Sequence, residues 1–81
     1  MPYIPQEERD RLGQSYPCFN KPGQLNYMIT DLIKQYIYSR TENYTTYNDI
    51  LGVLEAVKLE LYRRKIAPYE DTKIQENGDV Y

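Results

Sequence analysis

The amino-acid sequence predicts an all-α fold, an antiparallel helical hairpin with short terminal segments that assembles into an oligomeric helical bundle. Apolar residues recur every three or four positions over residues 24–40 and again over residues 46–67, which is the spacing of a helix face. The connection between these segments is only a few residues long, which favours antiparallel neighbours. With 81 residues, the chain is expected to form a single domain, residues 1–81.

The N-terminal segment, "MPYIPQEERDRLG", predicts a short helix. Pro5 suits its first position, Glu7 and Glu8 suit a first turn that favours acids, and Gly13 suits its end. Residues 14–23, "QSYPCFNKPG", have no periodicity and contain two prolines and a glycine, so they predict a loop. Three residues of this loop are expected to pack against the core: Tyr16, Cys18 and Phe19.

The first long helix, over residues 24–40, follows a start signal at Pro22 and Gly23. In the segment "TENYTTYND" that follows it, Asn43 or Thr45 is expected to cap the second helix. The apolar face of the first helix is expected to contain Leu25, Met28, Ile29, Leu32, Ile33, Tyr36 and Ile37.

The second long helix, over residues 46–67, is expected to end before Pro68. Its main apolar stripe is expected to contain Tyr47, Ile50, Leu54, Val57 and Leu61. Leu51, Leu59, Tyr62 and Ile66 widen this stripe beyond the usual arc of about 100°. A second subunit is therefore expected to cover the side opposite the hairpin, at Gly52, Leu59 and Ile66.

The C-terminal segment, "YEDTKIQENGDVY", predicts a short helical turn over residues 70–76 and a tight turn at Asn77 and Gly78. Val80 and Tyr81 are expected to dock the tail against the protein.

Composition excludes several classes of function. One cysteine and no histidine exclude an intrachain disulfide and argue against a metal site, a cofactor or a nucleophilic triad, so we expect no enzyme activity. A chain this small usually needs a disulfide, a bound metal or a partner subunit to be stable. Because the first two are not expected here, the sequence favours a homo-oligomer. The net charge of −2 argues against general nucleic-acid binding. Because no membrane span or signal peptide is apparent, we expect a cytoplasmic location without membrane contact.

The segment "VKLELYRRKIAPYED" contains the candidate ligand-binding residues. Arginine holds phosphate or carboxylate with two parallel hydrogen bonds, and tyrosine rings stack on a base or serve as protein hot spots. In the structural alternative, the cations complement the helix dipole and Lys58 pairs locally, for example with Glu55. The candidate residues are Lys58, Tyr62, Arg63, Arg64 and Tyr69.

Four motifs resemble a family of small, uncharacterised proteins from bacteria, prophages and phages that is known as a domain of unknown function. They are "MPYIP", "GQLNYMIT", "VLEAVKLELYRRKIAPYED" and "KIQENGDVY". The resemblance covers most of the chain, but residues 12–22 depart from the family pattern. It implies no activity or site residue. It implies a phage or mobile-element setting, in which small proteins often antagonise host defences.

These observations leave three functions open. The first is a non-enzymatic protein of phage–host conflict that holds a small anionic ligand such as a nucleotide signal. The second is a protein–protein inhibitor of a host defence or metabolic protein, acting through a tyrosine-rich surface that includes Tyr27, Tyr38 and Tyr44. The third is a minor structural protein of the virion.

Overall fold

The computed structural model describes residues 2–13 and 20–81, and all the secondary structure in these residues is helical. This confirms the predicted all-α class, while the expected packing of Tyr16, Cys18 and Phe19 lies outside the described residues. Residues 2–50 form one compact unit and residues 51–81 form another. The elements in chain order are α1 (Gln6–Leu12), α2 (Pro22–Tyr38), α3 (Tyr44–Leu61), a π-helical turn (Tyr62–Ile66) and α4 (Ala67–Asn77).

Helix α1 ends where the sequence predicts and begins one residue later. Pro5 is its N-cap, one position before the first helical residue, and Glu7 and Glu8 lie in its first turn. The backbone N–H of Gly13 donates to the carbonyl of Arg9 at 2.9 Å and closes the last turn. A proline at this end costs little because the first N–H groups of a helix have no intrahelical acceptor.

Capping residues define the connection between α2 and α3. Helix α2 begins at Pro22, two residues earlier than predicted, because a proline fits the first position of a helix. At the start of α3, the side-chain Oδ1 of Asn43 accepts the backbone N–H of Thr46 at 3.0 Å. Asn43 is therefore the cap, and Thr45 is the second residue of the helix.

The predicted helix end at Pro68 is wrong, since the chain remains helical as far as Asn77. Residues Tyr62–Ile66 form a π-helical turn, in which the N–H of Ala67 donates to the carbonyl of Tyr62, five residues back. Proline has no N–H and its ring clashes with the carbonyl of an ordinary preceding helical turn. The wider π turn accommodates the ring, and Pro68 then takes an early position in α4.

The C-terminal segment also differs from its prediction. Helix α4 has 11 residues rather than a single turn, and Gly78, at a φ of 91°, caps it by donating its N–H to the carbonyl of Ile74. Only glycine adopts such a φ without strain, which explains its position after Asn77. Val80 and Tyr81 are 91% and 114% exposed, so the tail is not docked.

Burial in the described residues is confined to one polar side chain. Thr46 is 5% exposed, and its hydroxyl donates to the carbonyl of Thr41 at 2.7 Å. None of the described apolar side chains is fully buried, and even Leu54, in the middle of the predicted stripe, is 36% exposed. Within the same residues, no helix has the length and apolar character needed to cross a membrane.

Candidate functional site

The π-helical turn aligns Tyr62 with Glu70. Residues eight apart on a regular α-helix lie about 80° apart around the axis, whereas a turn that absorbs one extra residue reduces this angle to about 20°. Here the Tyr62 hydroxyl donates to Glu70 Oε1 at 2.7 Å. The pair therefore joins the start of the π turn to α4 on the far side of Pro68.

This contact raises the pKa of Tyr62 above its ordinary value of 10.0. The main cause is the hydrogen bond to Glu70, which stabilises the protonated phenol, and the negative charge of Glu70 adds to it. Tyr62 is thus a neutral hydrogen-bond donor at neutral pH, and its hydroxyl is already engaged within the chain.

Two of the predicted ligand-binding cations pair with carboxylates on the preceding turn. Arg63 Nη2 donates to both carboxylate oxygens of Glu60 at 3.1 Å. Lys58 Nζ lies 3.4 Å from Glu55 Oε1, which is the local ion pair expected in the structural alternative. Exposed pairs of this kind contribute little to stability, but each neutralises the cation that a bound anion would need.

Arg64 and Lys65 have no ion-pair partner among residues 2–13 and 20–81. Tyr69 lies beside Lys73 of its own helix, with Lys73 Nζ 5.6 Å from the centre of the ring. Of the five predicted ligand-binding residues, the structure thus leaves Arg64 as the cation available to an anion. It brings Tyr62 together with Glu70, and not with an arginine.

The predicted oligomer interface is exposed in the single chain. Leu59 is 57% exposed and Ile66 is 38% exposed. A Cβ added at Gly52 would meet no atom within 4 Å among residues 2–13 and 20–81. On α3, Leu59 is separated from the other large aliphatic side chains by polar and small residues.

Two surface depressions lie away from the predicted site. One, of about 540 Å³, is lined by polar residues at the connection between α2 and α3, including Arg40, Thr46 and Asp49. Its Arg40 is stacked 4.8 Å above the Tyr36 ring. The other, of about 270 Å³, lies at the end of α4 and includes Glu70 and Lys73. Neither contains Lys58, Arg63 or Arg64, and neither depression was predicted from the sequence.

One side of α2 presents a surface that we call the tyrosine face, consisting of Tyr27, Asp31, Lys34 and Tyr38. Tyr27 and Tyr38 are 70% and 78% exposed. Eleven residues make about three turns, so the two rings point within about 20° of each other and lie about 17 Å apart along the axis. Asp31, between them, accepts a hydrogen bond from Gln35 at 2.9 Å.

The carboxylates near the π-helical turn are not arranged as a metal site in the described part of the chain. Among residues 2–13 and 20–81, no three cysteine, aspartate or glutamate side chains converge as metal ligands. The Tyr62 hydroxyl contacts the Glu70 carboxylate, and the Arg63 guanidinium contacts the Glu60 carboxylate. Both contacts are exposed on the helix surface. What the arrangement offers chemically is a set of polar and aromatic contact groups.

A family model described as "Domain of unknown function (DUF6899)" matches residues 1–80. The chain belongs to the DUF6899 family. DUF6899 membership agrees with the resemblance to a domain of unknown function, and the match covers almost the whole sequence. No curated protein and no solved structure matches the chain. Because the DUF6899 description assigns no activity, the function has to be argued from the residues themselves.

Proposed function

We propose that this DUF6899 protein is a non-enzymatic binding protein that recognises another protein through the tyrosine face of α2. In this proposal it is a phage or mobile-element protein that inhibits a defence or metabolic protein in the host cytoplasm. The observation that carries the proposal is the exposure of Tyr27 and Tyr38, 70% and 78%, on one side of one helix.

The chemistry of the tyrosine face suits a protein partner. A tyrosine ring buries a large apolar area on binding and keeps a hydroxyl for hydrogen bonding, at a low cost in conformational entropy. Asp31 and Lys34 lie between the two rings and offer one charge of each sign. Exposed tyrosines are enriched among the residues that dominate binding to a protein partner.

The groups near the π turn are already engaged within the chain. Lys58 and Arg63 are neutralised by Glu55 and Glu60, and the Tyr62 hydroxyl is taken by Glu70. A nucleotide would have to displace these contacts before it gained its own. The phage setting has a separate basis, the resemblance of the sequence motifs to phage and prophage proteins.

The experiment is affinity capture from a bacterial lysate with quantitative mass spectrometry, followed by calorimetry with the purified partner. The test variant replaces both Tyr27 and Tyr38 with alanine. Because hot-spot truncations cost about 2 kcal/mol or more, we expect the variant to bind the partner at least about 30-fold more weakly.

Tyr81→Ala is the matched control, because it removes a fully exposed tyrosine that is not on α2. It should bind the partner with wild-type affinity. Equal binding by the wild type and the double variant would contradict the tyrosine face as the binding surface. Capture of virion proteins alone would support a structural role in the particle instead.

A small anionic ligand remains a second candidate because Arg64 lacks an ion-pair partner among the described residues. Calorimetry against mono-, di- and cyclic nucleotides tests it. If Arg64 holds a phosphate, Arg64→Ala should weaken binding at least about tenfold, since a charged hydrogen bond contributes about 1.5–3 kcal/mol. Arg63→Ala is the control for a general change of charge. If Arg64→Ala binds the nucleotide as tightly as the wild type does, this candidate is excluded.

A further inference from the structure

The polar depression at the connection between α2 and α3 has the size of a small-molecule site. Its volume of about 540 Å³ lies within the range of about 300–1,000 Å³ that is typical of such sites. All of its lining residues belong to the compact unit of residues 2–50. Because these residues are polar, the depression suits a ligand that forms hydrogen bonds over one that buries apolar area. Four of them are important for binding: Arg40, Asn43, Thr45 and Asp49.

Arg40 is held in position and still has its hydrogen-bond donors available. Its guanidinium carbon lies 4.8 Å from the centre of the Tyr36 ring, a contact that restricts the side chain without occupying its N–H groups. No carboxylate lies within ion-pair distance of Arg40 among residues 2–13 and 20–81. Glu42, two residues later, hydrogen-bonds instead with Tyr47 and raises the pKa of that tyrosine. Arg40 can therefore hold a phosphate or carboxylate with two parallel hydrogen bonds.

The other polar groups of the depression supply donors and one acceptor. The Oδ1 atom of Asn43 accepts the N–H of Thr46, which leaves the amide NH₂ group of Asn43 as a donor. The Thr45 hydroxyl and the Asp49 carboxylate form no hydrogen bond or ion pair within the described residues. Thr45 and Asp49 are four residues apart on α3, so they are neighbours on one side of the helix. The depression thus combines donors for an anion with a carboxylate that accepts from a hydroxyl group.

We propose that this depression binds a small hydroxylated anion, such as a sugar phosphate. Arg40 holds the phosphate, Asn43 and Thr45 donate to the ligand, and Asp49 accepts from a sugar hydroxyl. The negative charge of Asp49 disfavours a bare phosphate, which repels it and offers it no donor. A nucleotide gains less here, because the described lining contains no aromatic ring for the base. The site is independent of the tyrosine face and of Arg64, since neither lines the depression.

Titration with glucose 6-phosphate, followed by NMR of the backbone amides, tests the site. We expect shifts at the lining residues and a Kd of about 1 mM, because hydrogen bonds exposed to water contribute little each. Arg40→Ala should bind at least about tenfold more weakly, since it removes a charged donor. Arg40→Lys keeps the charge but cannot form two parallel hydrogen bonds, so it should also bind more weakly. Circular dichroism of each variant shows whether it remains folded.

Arg11→Ala is the matched control, because Arg11 lies in α1 and does not line the depression, and its removal changes the net charge equally. It should bind glucose 6-phosphate as the wild type does. Equal binding by the wild type and both Arg40 variants would overturn the proposal. So would the absence of shifts at the lining residues at about 10 mM ligand, which is ten times the expected Kd.

Inorganic phosphate and glucose, titrated separately, test the class of ligand. Each should bind more weakly than glucose 6-phosphate, because each provides only part of the contacts. Asp49→Asn removes the repulsion of an anion and the acceptor for a hydroxyl, so it should reduce the preference for glucose 6-phosphate over phosphate. Phosphate binding as tight as that of glucose 6-phosphate in the wild type would overturn the assignment of a hydroxylated ligand. Failure to capture a protein partner would leave these titrations unchanged.

Discussion

The hydroxyl of Tyr62 lies 2.7 Å from a carboxylate oxygen of Glu70, eight residues later in the chain and beyond Pro68. This contact depends on the π-helical turn of residues Tyr62–Ile66, because a regular α-helix would turn the two side chains away from each other. Pro68 is expected to end the helix. Instead the helix continues beyond Pro68, and the π turn shifts the angular positions of the side chains that follow. The local consequence is a contact that ties α4 to the preceding turn.

Replacing Pro68 with alanine should convert the π turn into regular α-helix. The substitution restores a backbone N–H and removes the clash of the ring with the preceding turn, so helix stability should rise by about 1 kcal/mol or more. Glu70 should then rotate away from Tyr62, and the contact should be lost. Thermal unfolding measures the first effect, and the NMR chemical shifts of Tyr62 and Glu70 measure the second. An unchanged Tyr62–Glu70 contact would mean that Pro68 does not cause the π turn.

The Tyr62–Glu70 contact should make the stability of α4 depend on pH in the alkaline range. The pKa of Tyr62 is raised, so its protonated form is favoured in the folded chain. The corresponding stabilisation is fully present below pH 10.0, the ordinary pKa, and is lost as the pH rises through the higher folded value. Helicity followed by circular dichroism should fall there in the wild type.

Two variants identify the group responsible for this alkaline effect. Tyr62→Phe cannot ionise, so its α4 should lose less helicity at the same pH. Glu70→Gln removes the negative charge and should bring the pKa of Tyr62 closer to 10.0. Identical alkaline titrations of wild type and Tyr62→Phe would show that Tyr62 does not stabilise α4.

Asn43→Ala should destabilise α3 by about 1 kcal/mol, which is the typical cost of removing an N-cap. The lost interaction is the hydrogen bond from the N–H of Thr46 to Asn43 Oδ1 at 3.0 Å. Asn48→Ala is the matched control, because Asn48 is an exposed asparagine within α3. Urea unfolding should give a lower midpoint for Asn43→Ala alone. Equal midpoints for the two variants would contradict the capping role of Asn43.

Arg63→Ala and Arg64→Ala should differ little in stability, although one arginine pairs with Glu60 and the other has no ion-pair partner in the described residues. The Arg63–Glu60 pair is partly exposed to solvent, so its loss should cost less than about 1 kcal/mol. Arg64→Ala should lie within about 0.5 kcal/mol of the wild type. Chemical unfolding of both variants provides the comparison. A larger loss for Arg64→Ala would place that arginine in a structural contact.

The sequence alone predicts those helix ends whose signals are local. Proline at the start of α2, Asn43 before α3 and Gly13 after α1 are identifiable because caps act within one turn of their own position. The ion pair of Lys58 with Glu55 was expected for the same reason, since residues three apart on a helix are neighbours.

The continuation through Pro68 was not predictable in this way. Proline stops most helices, and whether a preceding π turn accommodates it depends on the stability of the whole segment, including the contact of Tyr62 with Glu70. Residues eight apart are not neighbours on a regular helix, so their contact is not predictable from helical periodicity. The exposure of Leu54 was also unexpected, because its helical periodicity predicts an apolar face and does not identify what covers it.

The central claim is the homo-oligomer predicted from the sequence, in which a second copy of this chain covers its apolar surface. The most direct measurement is the midpoint of thermal unfolding at protein concentrations that span about two orders of magnitude. Because unfolding of an obligate dimer also separates its subunits, the midpoint should rise by several degrees with concentration. A cooperative transition whose midpoint is the same at every concentration would contradict the claim, since a monomer that buries its own core unfolds independently of its neighbours.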